Sequence, residues 1–260
     1  MSQRSSVGYT VGFAAIACVV CAVLVSSAAV SLRDRQQANA ELDRKKNVLL
    51  AAGLATADET LARDEVERRF GTFEVVAIDL DSGTVADDVD VATYDQRRAQ
   101  ADPALSRAVD RNAAQVTRVP NRVLAYQQRD DAGNVELLVL PIEGKGLWST
   151  MYGFLALGSD LTTVRGLTFY QHGETPGLGG EIDNPRWKAL WPGRKVYDEQ
   201  GELELQVIRG SAGPPETDPH RVDGLSGATI TARGVSATIR FWLGPQGYGP
   251  YLQRLKKEAA

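Results

Sequence analysis

Cysteine is almost missing from this sequence of 260 residues: only Cys18 and Cys21 occur, and both sit in its most apolar stretch. Everything after residue 21 is therefore without disulfides and without thiolate metal ligands. Histidine is as scarce, with His172 and His220 alone, so a histidine-rich metal centre is excluded and no metal site is expected. Long basic runs are lacking, and 29 Lys and Arg against 33 Asp and Glu leave a net charge of −4. That balance speaks against a nucleic-acid footprint. No P-loop and no G-x-G-x-x-G loop occurs, which removes nucleotide hydrolysis and dinucleotide binding. There is no G-x-S-x-G, and neither histidine lies near a plausible nucleophile, so serine hydrolysis is disfavoured. Internal repeats are absent too.

What is present begins with an uncharged run from Val7 to Leu32. Its roughly 25 residues make a helix of about 38 Å, enough to cross a bilayer core with some tilt. A cleaved leader is the competing reading, because Ser26 to Ala29 are small. The run is longer than a leader's apolar core, however, and Arg33, Asp34 and Arg35 continue a polar helix. A retained anchor is the expectation. Cys18 and Cys21 lie one turn apart on it and read as small packing residues in lipid. Charge leaves the topology open: Arg4 precedes the span, whereas Arg33, Arg35, Arg44, Lys45 and Lys46 follow it. A literal count puts the large domain in the cytoplasm, but the rule is weak for long translocated domains.

Beyond the anchor, Leu42, Val48, Leu49, Ala52 and Leu54 recur at helical steps, predicting helix from Gln36 to about Leu61 with a break at Gly53. Asp58 offers a cap for a helix over 59–70. Phe73 to Leu80 is a β-type run. The polar stretch from Thr84 to Asn121 reads as a mobile excursion with one short helix. Strands are predicted over 122–126 and 135–140, joined by a hairpin turn, then over 151–157, 164–171 and 201–207. A short helix is expected over 187–190. Val235, Ile239, Trp242 and Leu243 mark a helix closed by Gly244 and Pro245, and a short polar tail follows. The pattern is α+β: a single N-terminal transmembrane helix, then a mostly antiparallel sheet with flanking helices. The expected division is an anchor over 1–35, a helical connection over 36–72 and a soluble domain over 73–260.

Three loops combine glycine with aromatic, acidic or hydroxyl residues: Gly144 to Ser149, His172 to Gly180, and Asp223 to Thr231. Apolar walls with a few fixed polar groups suit a cofactor pocket. The third loop is the most suggestive. Gly227 and Ala228 leave room for a bulky charged group, and a helix starting there turns free N–H groups and a partial positive charge toward it. A plain N-capping loop is the competing reading. By chemistry alone Ser226, Thr229 and Thr231 are nearly equivalent hydroxyls.

The stretch Asp223-Gly-Leu-Ser-Gly-Ala-Thr229 resembles the flavinylation signature of FMN-binding domains in bacterial redox pumps. Gly144-Lys-Gly-Leu-Trp-Ser149 and His172-Gly-Glu-Thr-Pro-Gly-Leu-Gly179 match two further segments of that family. Lys46-Asn-Val-Leu-Leu-Ala-Ala-Gly-Leu54 and Trp242-Leu-Gly-Pro-Gln-Gly-Tyr-Gly-Pro250 extend the likeness to the NqrC family, covalent flavoproteins of the sodium-translocating NADH:quinone reductase (Nqr). The RnfG family, from the ferredoxin:NAD oxidoreductase (Rnf) electron transport complex, shares the flavin loops and is the runner-up. A non-redox anchored binding module of the same fold is the alternative from another class.

The resemblance implies FMN joined by a phosphoester to Thr229, placed there by a separate flavin transferase with FAD as donor. Ser226, Gly227 and Ala228 would surround the attachment. Trp148 would stack near the ring, Glu174, Thr175 and Leu178 would line its edge, and Gly177 and Gly179 would let backbone amides approach. The implied FMN-binding region is about 140–243. Asp223 is expected to brace its loop or be read by the transferase, and His172 to be a satisfied loop histidine. No catalytic residue is implied. The chain would carry electrons between membrane redox subunits during NADH oxidation by ubiquinone coupled to sodium export. It would sit in the bacterial inner membrane through residues 7–32, with the soluble domain in the periplasm.

Overall fold

The computed structural model describes residues 7–258. Arg4, which entered the charge count, lies outside the described residues. The chain forms two compact units, one up to Arg44 and one from Lys45. Helix α1 (Val7–Ala51) dominates the first and is continuous across the expected 35/36 boundary. Its most apolar 18-residue window has a mean hydropathy of 2.6 and no buried share, so α1 is long and apolar enough to cross a membrane. The helix stops at Ala51, short of the predicted 61, and the stop is local. Gly53 takes φ +72°, the N–H of Leu54 donates to the Leu49 carbonyl, and the N–H of Gly53 donates to that of Leu50. That is the Schellman end, in which a left-handed glycine satisfies carbonyls that have lost their helical partners.

In the second unit α2 (Arg63–Phe70) begins later than expected. Asp58 does not cap it, since Ala62 holds the cap position without a side-chain bond. Arg69 instead ties the segment down, donating to Glu59, Glu65 and the Leu54 carbonyl. Then come β1 (Glu74–Asp79), β2 (Thr84–Val85), α3 (Gln96–Ala101), β3 (Ser106–Ala108) and β4 (Arg118–Pro120). The long strands β5 (Arg122–Arg129), β6 (Val135–Lys145), β7 (Thr150–Gly158) and β8 (Val164–Gln171) follow. The unit is completed by α4 (Pro185–Lys188), β9 (Gln206–Val207), β10 (Arg221–Val222), α5 (Thr229–Leu243) and α6 (Gly249–Glu258).

Six strands make one sheet in the order β2-β1-β5-β6-β7-β8, and every neighbouring pair is antiparallel. The α+β expectation holds. Strands β5 to β8 stand where the alternation placed them. The run over 201–207 buries Leu205 and Val207 and exposes Glu202, Glu204 and Gln206, yet only Gln206 and Val207 form a strand, in parallel with β10, while Leu203 makes an isolated antiparallel bridge to Tyr197.

Two expectations are corrected. The stretch over 84–121 has its expected short helix, α3, but is more than an excursion: β3 and β4 pair, and Ala114, Val116 and Val119 are buried in the main core. Its Ala114 carbonyl accepts from the Lys145 N–H at the end of β6, 2.9 Å away. The tail after Gly244 is helical rather than merely polar. Tyr251, Leu252 and Leu255 of α6 are buried at three- and four-residue spacing. The hydroxyls of Tyr248 and Tyr251 reach across to the Leu124 carbonyl and to Gln127 on β5.

The core between sheet and helices is aromatic, with Trp191, Trp242, Tyr248, Tyr251 and Phe169 among its largest buried side chains. Side chains of this size contribute roughly 1.5–3 kcal/mol each by leaving water. This core seats α5 against the end of β6, where the glycine loops meet.

Candidate functional site

Strands β6 and β7 pair in register from Leu137 with Gly158 down to Lys145 with Thr150. The turn between them is the first glycine loop, closed by the Gly146 N–H on the Ser149 carbonyl at 2.8 Å. Helix α5 lies close against this end. A Cβ on Gly234 would stand 2.3 Å from the Lys145 carbonyl oxygen, and one on Gly144 would stand 2.0 Å from the Thr238 hydroxyl. Trp242 fixes the other end of the contact, its indole N–H donating to the Glu143 carbonyl at 2.7 Å. Sequence reasoning does not mark Gly234, Thr238 or the Trp242 indole as parts of a site, because their only signal there is helical spacing.

The three loops converge on Glu174. Its carboxylate accepts from the backbone N–H groups of Leu147, Trp148 and Ser149 at 3.1, 2.9 and 3.3 Å, and from the Thr231 hydroxyl of α5. Glu174 is 5% exposed. Burial pushes its carboxyl upward, but the bonds from Thr231 and from the amides of Trp148, Leu147 and Ser149 outweigh that and hold it below the ordinary glutamate range. Around it Gly146 and Gly179 leave no room for a side chain: a Cβ at either would come within 2.7 Å of a Glu174 oxygen. His172 completes the knot. Its Nδ1 accepts from the Glu174 N–H at 3.1 Å, so the neutral ring carries its proton on Nε2, 2.7 Å from Asp183. His172 is thus a satisfied loop histidine.

Two tight turns abut beside this knot. In the first, the Leu178 N–H returns to the Thr175 carbonyl, with Pro176 second and Gly177 third at φ +76°. In the second, the Ala228 N–H returns to the Leu225 carbonyl, with exposed Ser226 second and Gly227 third at φ +70°. Positive φ at the third position is what a type II turn demands, and it explains both glycines. A Cβ on Gly227 would come 2.9 Å from Leu178 Cδ2, so the turns touch. Asp223 braces the second turn from behind. Its carboxylate accepts from the Ala212 N–H at 2.8 Å, and its carbonyl from the Trp187 indole at 2.9 Å.

Helix α5 starts directly after the second turn. Thr229 is its first residue, and Ala228 at the N-cap position supplies no side-chain cap. The first-turn N–H groups and the positive end of the helix dipole therefore face outward around Thr229. The three candidate hydroxyls part here. Thr231 is 1% exposed and bonded to Glu174, whereas Ser226 and Thr229 are exposed.

Trp148 is 66% exposed, and Leu147, Leu178 and Ile230 are also exposed. These four are half of the large apolar side chains exposed among the described residues from Lys45 on, so the loops carry an apolar rim. Thr175 is exposed beside Leu178. Glu174 turns its carboxylate inward, onto the amides of Leu147, Trp148 and Ser149 and the Thr231 hydroxyl. Gly177 and Gly179 likewise owe their identity to a turn and to close packing. An exposed hydroxyl at an uncapped helix start, with an apolar rim alongside, matches a phosphate-bearing aromatic cofactor.

Similarity to known proteins falls on the same loops. The FMN-binding domain family model matches residues 146–244. The NqrC protein of the Na(+)-translocating NADH-quinone reductase from Pseudomonas aeruginosa is 44% identical over 264 residues, covering all of both chains. Its counterpart from Yersinia pestis is 43% identical, covering 99% of this chain and 96% of its own. The crystal structure of NqrC from Shewanella oneidensis superposes with a TM-score of 0.75 at 33% identity, covering 84% of this chain and 99% of that one.

Proposed function

Because the chain belongs to the NqrC family of the Na(+)-translocating NADH-quinone reductase, we propose that it is the flavin-carrying subunit of such a complex, with FMN held covalently on Thr229. The observation that carries the reading is the exposed residue Thr229 at the uncapped start of α5, beside the rim of Leu147, Trp148, Leu178 and Ile230. Thr229 would receive its flavin from FAD on a flavin transferase. Its hydroxyl oxygen would bond to the flavin-side phosphorus as the pyrophosphate P–O bond broke, AMP would leave with that electron pair, and the hydroxyl proton would pass to a base. No electron is gained or lost in this step. Gly227 gives the phosphate room, and the first-turn amides of α5 would donate to its oxygens. Trp148 and Leu178 would lie along the ring and limit its contact with water.

When bound, FMN supplies the redox chemistry, taking up and releasing electrons singly or in pairs. The chain contributes placement. We further propose that α1 anchors the protein in the bacterial inner membrane, with the unit from Lys45 on in the periplasm. There it would relay electrons between the other redox subunits of the complex, during NADH oxidation by ubiquinone coupled to sodium export. The test is co-expression with a flavin transferase followed by a denaturing gel. A fluorescent band is expected from the wild type and none from Thr229→Ala. A dark wild-type band, or wild-type flavin located by peptide mass on a residue other than Thr229, would overturn the assignment.

A further inference from the structure

Glu174 is a buried carboxylate with no cation within salt-bridge distance among the described residues. Its charge is met wholly by neutral donors, which is tolerable only while all of them stay in place. Those donors come from two separate parts of the site. Three are consecutive amides of the turn that bears Trp148, and the fourth is a hydroxyl in the first turn of α5. Glu174 itself sits on the second loop, His172 to Gly180, anchored through its own N–H to His172. The space around it is closed by Gly146 and Gly179, so the carboxylate cannot turn elsewhere without moving backbone.

Helical geometry adds a consequence. Residues two apart on an α-helix point about 200° away from each other. With Thr231 drawn inward to Glu174, Thr229 must face out. We propose that Glu174 is a positioning residue for the covalent flavin, resting on the reading of Thr229 given above. It locks the Trp148 turn to the start of α5 and withholds the Thr231 hydroxyl, leaving Thr229 as the reactive hydroxyl of that helical turn. The expected role at the ring edge is replaced by one behind the ring, exerted through Trp148 and Thr231.

Glu174→Gln keeps the shape but converts one acceptor oxygen into a donor, so at least one of the four bonds must fail. Thr231→Val keeps the shape of the threonine and removes only the hydroxyl bond. The full chain is co-expressed with the transferase as wild type, as each of these variants and as Thr229→Ala. Peptide mass locates the flavin, and native flavin fluorescence and visible circular dichroism report how it is held. Indole beside flavin quenches its emission, so a loosened Trp148 turn raises fluorescence. Both variants should carry flavin on Thr229. Emission should rise several-fold toward the denatured value in Glu174→Gln, with visible circular dichroism falling, and by a smaller step in Thr231→Val. Should Glu174→Gln fail to fold, the Thr231→Val step alone decides. Native spectra identical to wild type would overturn the positioning role, and flavin on Thr231 in Thr229→Ala would overturn the withholding. A dark wild type would instead overturn the attachment reading, so the two failures are distinguishable.

Discussion

Gly234→Ala sets two physical effects against each other. Helix propensity alone predicts a gain, since alanine in a helix interior is favoured over glycine by about 1 kcal/mol. Packing predicts a loss. The new Cβ would stand 2.3 Å from the Lys145 carbonyl oxygen, and 3.3 Å from Lys145 C and Gly146 Cα. Ordinary contact begins at 3.4 Å, so α5 and the end of β6 must part by about 1 Å. The obstacle is backbone held in the β6–β7 ladder, with Lys145 paired to Thr150, so no side-chain rotation relieves it. Overpacking of this kind costs about 1–3 kcal/mol, and a rigid obstacle places it near 3. Against the propensity gain, the net is a destabilisation of about 2 kcal/mol. For a unit of this size that lowers the melting temperature by about 4–8 °C. Thermal unfolding of the detergent-solubilised chain, followed by circular dichroism, measures it. A melting temperature equal to or above wild type would refute the claim that close packing of α5 on β6 decides the residue.

Two carboxylates, buried Glu174 and half-buried Glu143, should respond to pH with opposite sign. Glu174 is held below the ordinary value of about 4.3, so it stabilises the fold above that value and the contribution is lost as pH falls through its folded value. Glu174→Gln should therefore cost about 1–3 kcal/mol at pH 7, and its deficit against wild type should narrow in acid, as read from denaturant midpoints. Burial raises Glu143, against smaller opposing effects of Gln100 and Arg97, so its ionisation destabilises the fold as pH rises from about 4.3 through the folded value. Glu143→Gln should accordingly be as stable as wild type or more so at pH 7, with the difference shrinking in acid. A pH-independent difference in either variant counts against its assignment. Arg194, 2% exposed, donates to the carbonyls of Leu190, Gly213 and Asp218. Arg194→Ala strands all three, and at about 1 kcal/mol or more apiece should cost about 3 kcal/mol in a denaturant titration.

The central sheet was legible because β5 to β8 are long, half- or fully buried strands bounded by turn residues, and such patterns are local. The helix stop at Gly53 was legible for the same reason, whereas the type II turns at Gly177 and Gly227 were not read from the sequence. What the pattern could not convey was long-range. Glu174 reads as an ordinary loop acid until Leu147, Trp148 and Ser149, about 25 positions earlier, and Thr231, 57 later, are folded against it. The stretch over 84–121 reads as polar because only a few small apolar residues, Ala114, Val116 and Val119, attach it to the core. Helix α6 hides behind Gly249 and Pro250 and behind lysines that crowd its last turn. Among the loop hydroxyls the chemistry left three choices, and it is burial that sets Thr231 apart.

The same geometry supplies the physical case for a covalent link. The apolar rim is presented outward on turns, with Trp148 and Ile230 more than half exposed. Cavities of about 330 and 400 Å³ lie elsewhere, one lined by Arg97, Gln100, Glu143 and Tyr152 and the other by Gln206, Arg233 and Phe241. A planar cofactor laid on such a rim keeps one face near water and gains little from burial, whereas pockets that retain small molecules cover most of their surface. An exposed face favours electron exchange with a partner protein and weakens retention at the same time. The proposed bond at Thr229 would separate the two requirements: the ester would retain the flavin, and the turns around Glu174 and Gly227 would only have to orient it. On that division of labour, substitutions at the rim should alter how the flavin is held while leaving it attached, and substitution at Thr229 should do the reverse.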